Sequence, residues 1–140
     1  FRPHAESFEV DIVRLIAPTS TDARIGTLVE NASGFVYYVS VRGITGTSSA
    51  AASDIASNVG RIKSLTDLPV AVGFGIRTPE QAAEVAAVAD ASVVGTAIVE
   101  KIANALDENG NATPQLVPET LDFVSDLAKA VRSVRHGAAS

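Results

Sequence analysis

Four short apolar runs alternate with helical segments along this chain. Residues 11–17 (DIVRLIA), 35–40 (FVYYVS), 70–73 (VAVG) and 91–94 (ASVV) are rich in β-branched and other apolar side chains. Each is followed by a stretch with helical character, and this order predicts a parallel sheet whose strands are joined by crossover helices. FVYYVS is apolar almost throughout, as expected of a strand buried on both faces. A doubly wound sheet and a (β/α) barrel both fit the alternation. The runs begin roughly twenty to thirty-five residues apart, so four βα units fill the chain, half of the eight that a closed barrel needs.

The helix signals differ in strength. Thr78-Pro79-Glu80-Gln81 is a complete start: Thr78 as N-cap, Pro79 in the first helical position and Gln81 placed to close a capping box. A helix over residues 22–31 has serine and threonine before it as caps. Others are expected at about 53–65, 96–106 and 118–134. The last carries Leu121, Val124, Leu127, Ala128 and Val131 on one stripe. Residues 41–51 (VRGITGTSSAA) read as a long loop of small residues over the ligand end of the sheet, where loops of this length are often lids.

In α/β proteins, ligands sit at the C-terminal ends of parallel strands. Glycines follow three successive runs there: Gly43 and Gly46 after the second, Gly75 after the third and Gly95 after the fourth. Gly95 also opens a helix, with Thr96 next. A phosphate needs several N–H donors at close range and no side chain in the way. Glycine permits that approach, and a helix N-terminus adds unpaired N–H groups and the positive end of a dipole. The three glycine positions together predict a phosphate site. Read from the residues alone, Tyr37 and Tyr38 are core aromatics facing opposite sides of the sheet.

The carboxylates point elsewhere. Asp11, Asp67 and Asp90 lie at or before the starts of runs, while Asp22, Glu80 and Glu100 lie in helices. With no cysteine, and with His4 and His136 near opposite ends, no general acid or base falls at the ligand end. Thiolate metal sites and disulfides are excluded. The net charge of −5 argues against nucleic acid or an anionic membrane as partner. No apolar run approaches the ~20 residues that span a bilayer, and no signal peptide is visible, so a cytoplasmic protein is expected. Methionine is absent, and Phe1-Arg2-Pro3 is unlike a natural start. The chain is therefore expected to be a portion of a longer one.

Four stretches in order carry a specific resemblance: APTSTDARI (17–25), ASGFVYYVSVRGITGT (32–47), TDLPVAVGFGIRTPEQA (66–82) and VVGTAIVEKI (93–102). Together they resemble the second half of the tryptophan synthase alpha chain family, along nearly the whole length of this sequence. The resemblance implies a (β/α)8 TIM barrel of which residues 1–140 supply strands five to eight, a half-barrel. It implies a lyase that splits indole-3-glycerol phosphate into indole and glyceraldehyde 3-phosphate by retro-aldol cleavage in tryptophan biosynthesis. The family's substrate-binding positions fall on Tyr37, Thr45, Gly46, Phe74, Gly75, Gly95 and Thr96, with the lid at 41–51. This makes Tyr37 a substrate-side residue rather than a plain core aromatic. Serine usually stands where Thr96 is, so the hydroxyl is kept. The two catalytic carboxylates of the family belong to the strand-two region, outside this sequence, so none is assigned here. The implied partners are the tryptophan synthase beta chain, in an α2β2 complex, and the N-terminal half of the barrel. No cofactor is expected, since pyridoxal phosphate belongs to the beta chain. Two other readings fit the residues: a stand-alone half-barrel that binds phosphate esters without turnover, and a different phosphate-binding barrel enzyme.

Overall fold

The computed structural model describes residues 2–40, 49–73 and 75–136. After a short helix α1 (Arg2–Ser7), the chain runs β1 (Arg14–Ile16), α2 (Asp22–Val29), β2 (Val36–Val39), α3 (Ser49–Lys63), β3 (Val70–Gly73), α4 (Pro79–Ala86), β4 (Ala91–Val93), α5 (Thr96–Asn104) and α6 (Leu116–His136). All strand pairs are parallel and the spatial order is β1-β2-β3-β4. This order decides between the two architectures the sequence leaves open. A doubly wound sheet reverses its strand order at a switch point. Here each strand lies beside its predecessor, as in the wall of a barrel.

The register puts Ile16, Tyr38, Val72 and Ser92 in one row and Leu15, Tyr37, Ala71 and Ala91 in the next. The first row faces the helices. Ile16, Val36, Tyr38, Val70 and Val72 form one buried cluster with Ile25 of α2, Ile55, Val59 and Ile62 of α3, Ala82 and Val85 of α4, and Leu127 of α6. Burial raises the Tyr38 hydroxyl above the ordinary tyrosine pKa, and Asp54 of α3 adds to the rise while Arg61 opposes it. The second row faces away from the helices. In β1 and β2 burial therefore alternates, and Leu15 is 64% exposed. The expectation that FVYYVS is buried on both faces does not hold: the second face of β2 is only half covered, and only β3 is buried throughout.

Local chemistry sets most boundaries. Thr21 caps α2 by accepting from the Arg24 N–H, and Thr78 and Gln81 close the capping box of α4. Helix α3 begins at Ser49, four residues before the sequence suggests. The Ala50-Ala51-Ala52 run extends the helix backward, alanine being the strongest helix former, so residues 49–51 are not part of a loop. At the N-terminal ends of the strands, Asp90 accepts from the Val70 N–H at 2.8 Å and from Lys63 Nζ at 2.9 Å. Its carboxylate thus ties β3, β4 and α3 together, away from the ligand end. Among the described residues, no helix is long and apolar enough to cross a membrane, and no three or more His, Cys, Asp or Glu side chains are grouped to hold a metal.

Candidate phosphate-binding site

A cavity of about 340 Å³ opens at the C-terminal ends of β2, β3 and β4, lined by Tyr37, Gly75, Ile76, Arg77, Val93, Gly95 and Thr96. Four of the residues expected at a site, Tyr37, Gly75, Gly95 and Thr96, meet there although they come from three separate βα units. Thr45, Gly46 and Phe74 lie outside the described residues, as do residues 41–48 of the lid expected at 41–51.

The glycines of this end have different physical reasons. Gly75 has φ 75°, in the left-handed region that favours glycine. Gly73 is crowded: a Cβ there would lie 2.8 Å from Tyr37 Cζ and 3.0 Å from Val93 Cβ. Tyr37 pairs with Ala71 and so leans along the sheet over Gly73, which pairs with Val39. Gly73 therefore makes room for the tyrosine ring that walls the cavity. At Gly95 the φ is −120° and a Cβ would meet nothing within 4 Å. Neither crowding nor a positive φ within the chain calls for glycine there, but a ligand approaching the backbone would.

The helix that Gly95 opens lacks a side-chain cap. Whereas α2 and α4 are capped by threonine hydroxyls, Gly95 offers no side-chain hydrogen bond to α5. The Ile98 N–H donates to the Gly95 carbonyl at 2.9 Å, so the N–H groups open to water or an anion are those ahead of it, at the positive end of the helix dipole. The Thr96 side chain adds a hydroxyl beside them. The lining contains no carboxylate and no histidine among the described residues.

Of the lining residues not expected from the sequence, Ile76, Arg77 and Val93, Arg77 is the charged one. Ile76 is 3% exposed and anchors the segment in the core, and Thr78 begins the α4 cap. Arg77, between them, turns outward to the cavity, and its guanidinium pairs with Glu100 of α5. The signal was a cation between a buried residue and an N-cap, but its partner lies twenty-three positions away.

We expect Gly73→Ala to destabilise the chain by on the order of 1–3 kcal/mol, the usual cost of overpacking a fitted contact. The Tyr37 ring would have to leave the cavity wall. Chemical denaturation of the variant against the parent chain measures this, and an unchanged midpoint would show that the ring has a second equally good position.

The tryptophan synthase alpha chain family model matches residues 1–131. The chain is 51% identical over 136 residues to the tryptophan synthase alpha chain of Acidiphilium cryptum, covering 97% of this sequence and 49% of that protein. Against that of Caulobacter vibrioides it is 53% identical over 132 residues, covering 94% and 46%. Among solved structures, a tryptophan synthase of Mycobacterium tuberculosis aligns with TM-score 0.71 and 38% identity, over 93% of this chain and 45% of that one. The tryptophan synthase subunit alpha of Legionella pneumophila aligns with TM-score 0.74 and 26% identity, over 91% and 45%. The chain thus spans about half the length of the curated relatives it matches.

Proposed function

Because the chain belongs to the tryptophan synthase alpha chain family, we propose that it supplies strands five to eight of a (β/α)8 barrel and, with them, the phosphate site of a cytoplasmic carbon–carbon lyase. On this reading the complete enzyme cleaves indole-3-glycerol phosphate to indole and glyceraldehyde 3-phosphate, and it pairs with a tryptophan synthase beta chain. The observation that carries the reading is the meeting of Tyr37, Gly75, Gly95 and Thr96 around one cavity at the strand ends.

Each group has a part in that chemistry. The backbone N–H groups at Gly75 and Gly95, with those opening α5, hold the phosphate oxygens, and the Thr96 hydroxyl donates one more hydrogen bond. None of these groups reacts. They fix one end of the substrate so that the scissile bond is held in place elsewhere in the barrel. Tyr37, on the same wall, packs against the rest of the substrate. The family resemblance also assigns Phe74, Gly46 and Thr45 to substrate binding, and these lie outside the described residues.

Gly95→Ala separates this reading from a purely structural one. A Cβ at this position meets nothing in the chain itself, so the variant should melt with the parent. In the phosphate site the same methyl group blocks backbone approach. Isothermal titration with glycerol 3-phosphate is expected to show at least a tenfold weaker dissociation constant, about the loss of one charge-assisted hydrogen bond. Equal affinity in the two chains would remove Gly95 from the site.

A further inference from the structure

Beyond the backbone donors, the cavity has one charged side chain among the described residues, and that side chain is held by a competitor. Arg77 lines the cavity with Gly75 and Thr96. Its guanidinium donates from Nη2 to Glu100 Oε2. Glu100 lies four residues after Thr96 on α5, on the same side of the helix, one turn below the residues that open it. The carboxylate and an incoming phosphate therefore reach for the same cation from neighbouring positions.

The backbone on both sides is fixed. Ile76 is buried at 3% exposure, and the Arg77 N–H donates to Gln81 Oε1 at 2.7 Å, which locks Arg77 to the capping box of α4. Lys101 of α5 lies over the Phe123 ring at 5.8 Å, and Ala97 and the C-cap Ala105 are buried. The loop and the helix stay put while the arginine side chain, half exposed, can rotate between partners. A guanidinium offers several donors in a planar fork, so it can keep one bond to the carboxylate while giving others to a phosphate.

We infer that Arg77 is the side-chain cation of the phosphate pocket and that Glu100 competes with the ligand for it, so that the pair sets how tightly a phosphate group is held. The inference rests on the pocket being a phosphate site, and it adds a determinant outside the glycine positions. A half-exposed ion pair contributes little to stability, so its loss should leave folding intact and move binding.

The test is titration of the full chain with inorganic phosphate, for the parent and for Arg77→Gln, Arg77→Lys, Glu100→Gln and the double variant Arg77→Gln/Glu100→Gln. Arg77→Gln is expected to weaken phosphate binding about tenfold, the scale of a lost charge-assisted contact, with an unchanged melting temperature. Arg77→Lys should keep most of the affinity. Glu100→Gln should tighten binding severalfold by releasing the guanidinium, and it should have no effect in the Arg77→Gln background. That non-additivity is the signature of competition for one cation. A structural tie alone predicts the opposite sign for Glu100→Gln, and weakening there would overturn the inference. Affinity that falls in Gly95→Ala but is unmoved by Arg77→Gln would overturn it while leaving the phosphate pocket standing. A parent chain that binds no phosphate would overturn both.

Discussion

A polypeptide of these 140 residues is expected to release no indole from indole-3-glycerol phosphate above the uncatalysed background. Retro-aldol cleavage needs a proton delivered to the indole ring and a hydroxyl proton removed. General acid–base groups contribute about 10²–10⁴-fold each, and none is placed for either task among the described residues. Asp90 is committed to Val70 and Lys63 at the opposite end of the sheet. Glu100 is paired with Arg77 outside the lining. Glu80 is exposed in the first turn of α4, and its hydrogen bond with Thr78 lowers its pKa, which favours the ionised form and makes it a poorer acid. Among the described residues, the cavity lining offers no carboxylate, histidine or lysine to shuttle protons. Addition of the first half of the Acidiphilium cryptum relative is expected to restore turnover if the two halves dock, raising indole release by four or more orders of magnitude on the same reasoning. Robust cleavage by the 140 residues alone would overturn both the residue inventory and the barrel reading.

The second large effect concerns association. Among the described residues, the order β1-β2-β3-β4 leaves β1 and β4 as edges, and no helix layer covers the face carrying Leu15 and Tyr37. Unpaired edges invite further strands. Each ~500 Å² of apolar surface left in water forgoes roughly 12 kcal/mol, comparable with the whole stability of a domain. These residues on their own are expected to sediment as dimers or larger species at micromolar concentration. Leu15→Lys should shift that equilibrium strongly toward monomer without unfolding it, because the side chain is already 64% exposed. Analytical ultracentrifugation across a concentration series reads both outcomes. A monomer with a cooperative melt would show that four units suffice as a domain and would favour a stand-alone phosphate-binding module.

What could be read from the sequence was mostly local. The capping box at Thr78 and Gln81 needs residues three apart, and the β3 run sits between Pro69 and two glycines, so both were placed correctly. The clustering of Gly75, Gly95 and Thr96 was legible because glycines after consecutive parallel strands must share one end of the sheet, whereas Tyr37 entered only through the family resemblance. The barrel-like strand order came from the resemblance rather than from the alternation, which does not say where a strand inserts. Contacts across the sheet were also hidden. Gly73 closes the VAVG run, and its crowding comes from Tyr37 on the neighbouring strand, which no local pattern reveals. The Arg77–Glu100 pair joins a loop to a helix one βα unit later. Helix α1 carries no acidic residue in its first turn and spans six residues, too few to show a period.

The central claim is that the strand ends at β3 and β4 form a phosphate site. Titrating ¹⁵N-labelled chain with inorganic phosphate, and following each backbone amide, tests it most directly. The account predicts saturable shifts with a single dissociation constant at Gly75, Gly95 and Thr96. It predicts none at Asn31, Ala32 and Ser33, which line a separate hollow of about 320 Å³ with Glu6, Glu9 and Asp11. Shifts confined to that hollow, or no saturable shift at the three strand-end residues, would contradict it.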